Sequence, residues 1–334
     1  MKAQVSVGSE PSDAFVVNYG VKQGCVLPPS LFSLYLTAVL ETMNEGLNRD
    51  VFIRTGTDGK LFNLAQLRAP PPKNTGDGIR ELLYADDSAL AANNAVDMQQ
   101  IVGRFSSAAD MFGLKINISK TELLYQPPPM SIELLETITV HDEPLKTTES
   151  FTYLGSTITN TNSADLVVER RIQSARKAYG ALQKRLWIYY DISTKTKVKV
   201  YSVAVIPCLL YSIECTTLYC RHIMALTRLQ LRHLCSILKI NWQDRIPDVE
   251  VLCHAHTVSV EALITMSQLC WAGHVRRMAN GRLPKAVYYS ELSQSKRSHG
   301  GQKLRFKDVL KWHMKKTGIS HDTWEEEAVQ RVKW

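Results

Sequence analysis

The chain of 334 residues carries 40 Lys and Arg against 32 Asp and Glu, a formal net charge of +8, and 45% of it is hydrophobic. That is enough apolar material to bury a core, and it excludes a disordered tail, a collagen-like repeat and a disulfide scaffold. The charge is split: residues 1–150 hold 12 basic and 18 acidic side chains, residues 151–334 hold 28 and 14. Either a carboxylate-bearing part precedes a polyanion-binding part, or two solvated faces differ in sign. Seven cysteines without tight spacing suit reduced thiols in an intracellular setting, cytoplasm or nucleus. No run approaches the roughly 18 apolar residues of a membrane span, so no membrane partner is expected. Residues 1–11 lack the pattern of a signal peptide.

In chain order, Val5 to Val17 alternates around Gly8 and a Pro11-Ser12-Asp13 turn signal, which predicts a hairpin. Ser30 is placed to cap a helix over about residues 31–47, with Leu31, Leu34, Tyr35, Ala38 and Val39 at helical spacing. Arg54 to Gly78 reads as strands and loops, and Pro70-Pro71-Pro72 excludes a helix there. Glu81 to Ala85 and Ser88 to Ala92 are apolar arms flanking Asp86-Asp87, a β-hairpin with acids at its tip. Val96 to Phe112 is an amphipathic helix closed by Gly113. Leu114 to Tyr125 returns to strand-like alternation, and prolines 127–129 end that unit. Helices are expected at 164–187, 194–206 (broken by Pro207), 219–239, 247–253, 258–278, 306–317 and 322–332, with a basic loop from Lys296 to Lys307.

Two adjacent carboxylates on an apolar hairpin are costly unless a cation or hydrogen bonds compensate them. Hard oxygen donors without neighbouring His or Cys favour Mg²⁺ or Mn²⁺. Strand alternation turns neighbours to opposite faces, so one acid would be the principal ligand and the other a support. By itself the dipeptide also fits an ordinary solvated turn.

The surrounding motifs weigh against that reading. Tyr84-Ala85-Asp86-Asp87 resembles the catalytic hairpin of reverse transcriptases. Ahead of it, Tyr19 to Phe32 looks like that family's Gln-Gly loop-helix motif, here with Gln23 and Gly24. Gly113 to Thr121 resembles the next palm motif, and Phe151-Thr152-Tyr153-Leu154-Gly155 the strand pair that grips the primer end. The wording is similar to that of non-LTR, LINE-type retrotransposons. The resemblance continues at Leu210–Glu214, Asn241–Arg245, Trp271–Met278 and Arg282–Lys285. It implies an α+β chain: a partial palm over 1–128, connection and primer-grip-like strands (Tyr153, Leu154, Gly155) over 129–160, a helical thumb-like region over 161–245 and a basic region over 246–334. It also implies Mg²⁺-dependent nucleotidyl transfer from deoxynucleotides to a DNA primer on an RNA template. Asp86 and Asp87 would be the metal ligands, Gln23, Gly24 and Tyr84 would seat nucleotide or template, and Lys120 would assist the leaving pyrophosphate unless it is a solvated lysine.

A two-metal site also needs a bridging carboxylate, which the family carries on a strand well before the Gln-Gly motif. Only 22 residues precede Gln23, and their acids, Glu10 and Asp13, lack an apolar strand context. The chain therefore reads as N-terminally truncated and not competent alone, with a non-catalytic nucleic-acid-binding remnant as the alternative. Pro28 departs from the family's small residue and removes a backbone N–H near the helix start.

Cys253, His256, Cys270 and His274 have zinc-like spacing, but two of them fall on one expected amphipathic helix, so zinc is not expected. Arg276, Arg277, Arg282, Lys285, Lys296, Arg297, Lys303, Arg305 and Lys307, with Tyr288, Tyr289 and Phe306 interleaved, suit backbone contact with base stacking on nucleic acid. The alternative is a solvated helical surface.

Overall fold

The computed structural model describes residues 2–7, 10–16, 26–46, 51–55, 61–62, 78–127, 136–292, 303–332 and 334. Short strands β1 (Lys2–Ala3), β2 (Ser6–Val7), β3 (Glu10–Pro11) and β4 (Phe15–Val16) nest as a hairpin, β1 pairing with β4 and β2 with β3. Pro11 is thus a strand residue and not part of a turn. Ser12 continues the pairing, its N–H donating to Val5 O at 2.8 Å and its hydroxyl accepting from Val5 N at 3.0 Å.

Helix α1 (Leu27–Asn44) begins four residues before the expected start, with Pro28 and Pro29 in its first turn. N–H groups there have no intrahelical partner, so neither proline breaks a hydrogen bond and their fixed φ suits the helix. Ser30 accordingly lies inside the helix and caps nothing. The buried row is Leu36, Val39 and Met43, whereas Leu31, Leu34 and Tyr35 are exposed. Both rows have helical spacing, and the neighbour that α1 packs on selects between them.

The elements that follow are β5 (Val51–Thr55), β6 (Gly78–Ile79), β7 (Glu81–Tyr84), β8 (Asp87–Leu90) and α2 (Ala95–Met111). Pro70-Pro71-Pro72 lies outside the described residues. Asn94 caps α2 by accepting from Asp97 N at 2.8 Å. At the other end Gly113 adopts φ +72°, and Gly113 N and Leu114 N donate to Asp110 O and Ala109 O. This Schellman ending is the one that Gly113 predicts. The strand expected from Leu114 is mostly coil and turn, with only β9 (Glu122–Leu124) forming a strand. Asn117 collects the backbone and side-chain hydrogen bonds of 119–121 into a turn, and Asn side chains favour such turns over ladders.

Next come β10 (Thr139–Val140), β11 (Glu143–Pro144), β12 (Lys146–Thr148), β13 (Ser150–Tyr153) and β14 (Ser156–Thr159). The helices then run α3 (Asp165–Ala181), α4 (Thr194–Val200), α5 (Ile206–Leu210), α6 (Cys220–Leu238), α7 (Asp248–His254), α8 (Val260–Arg277) and α9 (Leu283–Tyr289). Strand β15 (Ser290–Leu292), α10 (Phe306–Thr317) and α11 (Trp324–Val329) follow. Pro207 does not break its run. A wide turn over Tyr201–Val205, with Ile206 N donating to Tyr201 O, leads directly into α5 and makes room for the ring that lacks an N–H.

The chain forms two units: Met1–Val51 with Ile79–Thr121 and Leu135–Lys146, and Phe52–Gly78 with Glu122–Leu134 and Thr147–Trp334. In the first, Val39, Met43 and Ala108 are buried against Phe105 and Phe112 where α1 meets α2. Among the described residues the second has two apolar cores. One contains Tyr179 stacked between Trp187 at 4.9 Å and His233 at 4.0 Å. The other gathers Val275, Leu310, Met314 and Trp324, and the Trp334 indole donates to Leu269 O at 2.9 Å. Gly273 makes the space for that indole, which a Cβ would overlap. Among the described residues no helix is long and apolar enough to cross a membrane.

Candidate active site and nucleic-acid interface

Hairpin β7–β8 pairs Glu81 with Leu90 and Tyr84 with Asp87, so only Ala85 and Asp86 form the turn. Asp86 therefore lies in the loop and Asp87 opens a strand, one residue off the symmetric tip expected from the sequence. The turn frees Asp86 from strict strand alternation, so the pair is not forced onto opposite faces. Ala85 takes φ +53°, a left-handed conformation that costs a residue with a Cβ about 1 kcal/mol. Tyr84, Asp86 and Asp87 are exposed. The hairpin base is fixed to the end of α1 through Asn44. Its side chain donates to Glu81 at 3.1 Å and accepts from the Arg80 guanidinium.

The donor chemistry of Asp86 and Asp87 suits Mg²⁺, which one or two carboxylates hold together with phosphates and waters. A two-metal pair demands more, and among the described residues no group of three or more His, Cys, Asp or Glu comes together to hold a metal. Lys120 lies in the exposed Asn117 turn, its own N–H bonded to Asn117 Oδ1 at 3.2 Å. Gln23 and Gly24 lie outside the described residues.

In the second unit, β13 and β14 pair Tyr153 with Ser156. Leu154 and Gly155 form the two-residue turn with φ +48° and +74°, the doubly positive pattern of a type I′ hairpin. Tyr211 holds this tip, its hydroxyl donating to Leu154 O at 3.0 Å. The Arg171 guanidinium lies 4.6 Å over the Tyr211 ring and donates to Gly155 O. Arg170 donates to Thr152 and Thr157 across the two strands at 2.6 and 2.7 Å, and Ser156 donates to Ser212 at 2.8 Å. The two motifs read separately, 151–155 and 210–214, are therefore one assembly. An open cavity of about 670 Å³ lies beside it, lined by Tyr153, Leu154, Ile206, Pro207, Leu210 and Glu214 among others.

The basic C-terminal residues are placed differently from expectation. Lys285 donates to Arg276 O and Met278 O at 3.0 and 2.7 Å, closing the C-terminal end of α8. Arg277 donates to Ala328 O at 2.6 Å, and Arg276 faces the largely buried Glu325 at 3.9 Å. Arg305 pairs with Asp308 at 3.0 Å, and Lys303 donates to Thr161 O. Tyr289 is buried, and Tyr288 and Phe306 pack edge-on at 5.9 Å. Tyr288 and Tyr289 are thus turned into a core by α9, and Phe306, half-buried at the start of α10, packs on Tyr288. Lys296 and Arg297 lie outside the described residues. Cys253 and Cys270 are exposed free thiols.

Other features of the helical unit were not anticipated. Lys197 is buried and its ammonium donates to Trp187 O and Tyr189 O at 3.1 and 2.6 Å. At the start of α3, Asp165 accepts from Ser163 at 2.6 Å, His222 at 2.7 Å and Arg221 at 2.8 Å. The Ser163 hydroxyl first, then His222 and Arg221, hold its carboxyl down at about 2. Neither a lone lysine in a helical run nor a Ser-x-Asp before a helix distinguishes these roles in sequence: Lys197 bonds backbone carbonyls, which carry no sequence signal, and Arg221 and His222 lie 56 and 57 residues from Asp165.

No curated protein matches this chain. Residues 4–158, which contain the β7–β8 hairpin and all of β13–β14 except Thr159, match the family model of reverse transcriptase (RNA-dependent DNA polymerase), and over that span the chain is similar to a reverse transcriptase.

Proposed function

We propose that this chain is the nucleic-acid-holding part of a LINE-type reverse transcriptase. Residues 1–128 would be palm, β13–β14 the primer-end contact, 161–245 a thumb and 246–334 a supporting basic region. The observation that carries the reading is the β7–β8 hairpin, which exposes Asp86 in its two-residue turn and Asp87 at the start of the adjoining strand. Reverse transcriptases work on a nucleic-acid template with nucleotide substrates and a divalent metal such as Mg²⁺. That metal supplies charge neutralisation at the phosphates. Asp86 and Asp87 would be its protein ligands here, and Lys120 would meet charge on the departing pyrophosphate. Tyr153, Leu154 and Gly155 would position the primer end, with Tyr211 and Arg171 keeping that tip rigid.

A two-metal site needs a carboxylate beyond this pair, and in this proposal the chain by itself binds nucleic acid without extending a primer. Metal positioning and electrostatics supply most of phosphoryl-transfer catalysis. Primer extension by purified 1–334 on an RNA template with Mg²⁺ tests this. The expected result is incorporation no greater than in Asp86→Ala, with primer–template binding retained by both. Robust incorporation lost in Asp86→Ala would overturn the inactive reading. No binding at low salt would overturn the assignment to nucleic acid.

A further inference from the structure

The second unit carries an exposed pair of aromatics that the hairpins do not use. Tyr190 is 83% exposed and Trp242 86% exposed, values far above those of aromatics that serve a core. They belong to separate stretches that meet in space. Tyr190 follows the turn over Gln183–Trp187, and its ring carries the Lys239 ammonium 3.1 Å from its centroid. Lys239 ends α6 in a left-handed conformation, with Ile240 N closing on Cys235 O at 2.9 Å. Trp242 then opens the short helical turn Trp242–Asp244 three residues on.

Both supports are fixed. Buried Lys197 ties down the carbonyls of Trp187 and Tyr189, so Tyr190 is presented from a pinned loop. Asp244 accepts from Asn241 N at 2.7 Å, which fixes the turn carrying Trp242. Lys184 and Arg185 precede Tyr190 and Arg245 follows Trp242, all exposed. Of the acids close in sequence, Asp191 is exposed and Asp244 is engaged as a cap. Rigid exposed rings with cations beside them are what a sequence-tolerant single-strand contact requires: π faces for bases and charge for the backbone.

We propose that Tyr190, which carries the Lys239 ammonium on its ring, and Trp242, three residues beyond Lys239, form a stacking platform for single-stranded nucleic acid. The proposal rests on the nucleic-acid reading above and adds a surface to it. Binding of the full chain to a 12-nucleotide oligo(dT), an oligo(U) and an abasic strand of equal length tests it by fluorescence anisotropy. Wild type is expected to favour base-bearing strands about tenfold over the abasic one. Tyr190→Ala and Trp242→Ala remove that preference without changing the salt slope, Tyr190→Phe restores it, and Lys239→Ala lowers the slope by about 1. The oligo(dT) and oligo(U) arms separate DNA from RNA as the strand held. Trp312→Ala, which removes another exposed aromatic of the same unit, leaves the preference intact. Unchanged preference in the Tyr190 and Trp242 variants, or an equal loss in Trp312→Ala, overturns the platform while nucleic-acid binding stands. Failure of wild type to bind any strand or a primer–template at low salt defeats the underlying reading as well. Thermal unfolding at the wild-type temperature shows that each variant is folded.

Discussion

Two histidines in the helical unit are held neutral by their surroundings. His233 stacks 4.0 Å from Tyr179, and burial first, then Arg176 and Arg232, lowers it to about 4. His313 is buried on α10. Burial and then Lys316 lower it to about 4, with Glu261 opposing. The Thr265 hydroxyl donates to Glu261 O and lies 2.9 Å from His313 Nδ1, leaving Nε2 buried without a partner. A folded value below the unfolded one means that the unfolded chain takes up protons first. The stability from these two groups is whole above about pH 6.5 and is lost as pH falls towards 4. Thermal unfolding is expected to drop over that window, and His233→Gln with His313→Gln to flatten the drop. An equal decline in the double variant would show that other groups carry it.

At the scale of elements, β13–β14 is held through its turn. Gly155 at φ +74° cannot take a side chain without strain, and an added Cβ would meet Tyr211 Cε1 at 3.3 Å. Gly155→Ala is therefore expected to destabilise this hairpin by about 1 kcal/mol or more. The ring it would press against is also the one that bonds Leu154 O. Tyr211→Phe keeps the packing and loses only the hydroxyl's bond, so its cost should be smaller, about 0.5 kcal/mol. Chemical denaturation of the two variants checks the order, and a reversed order would place the anchor elsewhere. The β7–β8 tip is built differently. Its left-handed residue is an alanine, so the acids sit on a turn that stores a little strain beside them.

At the scale of the whole chain, the +8 net charge conceals a first part of net −6 and a second of net +14. Many of the basic groups singled out in sequence are spent inside the fold, as Lys285 and Arg277 show by closing helix ends. The cations exposed on α3 and the 183–187 turn include Arg176, Lys184 and Arg185, and under the proposal above they would face the nucleic-acid backbone. Nucleic-acid affinity should then fall steeply with salt, by about a hundredfold or more between 50 and 200 mM if six or so phosphates are contacted. A titration that shows little salt dependence would leave charge without a part in binding.

What the sequence by itself determined is local. The Asp86-Asp87 hairpin, the Gly113 helix end and most helices of the second half are written in residues a few positions apart, where backbone preference and periodicity act. What only the tertiary structure decided is which of several equivalent faces is used. The row Leu36, Val39 and Met43 on α1 was buried in place of Leu31 and Leu34 because α2 packs there. Tyr288 and Tyr289 became core, while Tyr190 and Trp242 were left outside. Tyr211 was assigned to a turn 57 residues away. An apolar or aromatic side chain lowers its free energy by leaving water wherever a partner exists, and partners distant in the chain are set by packing, which no local pattern encodes.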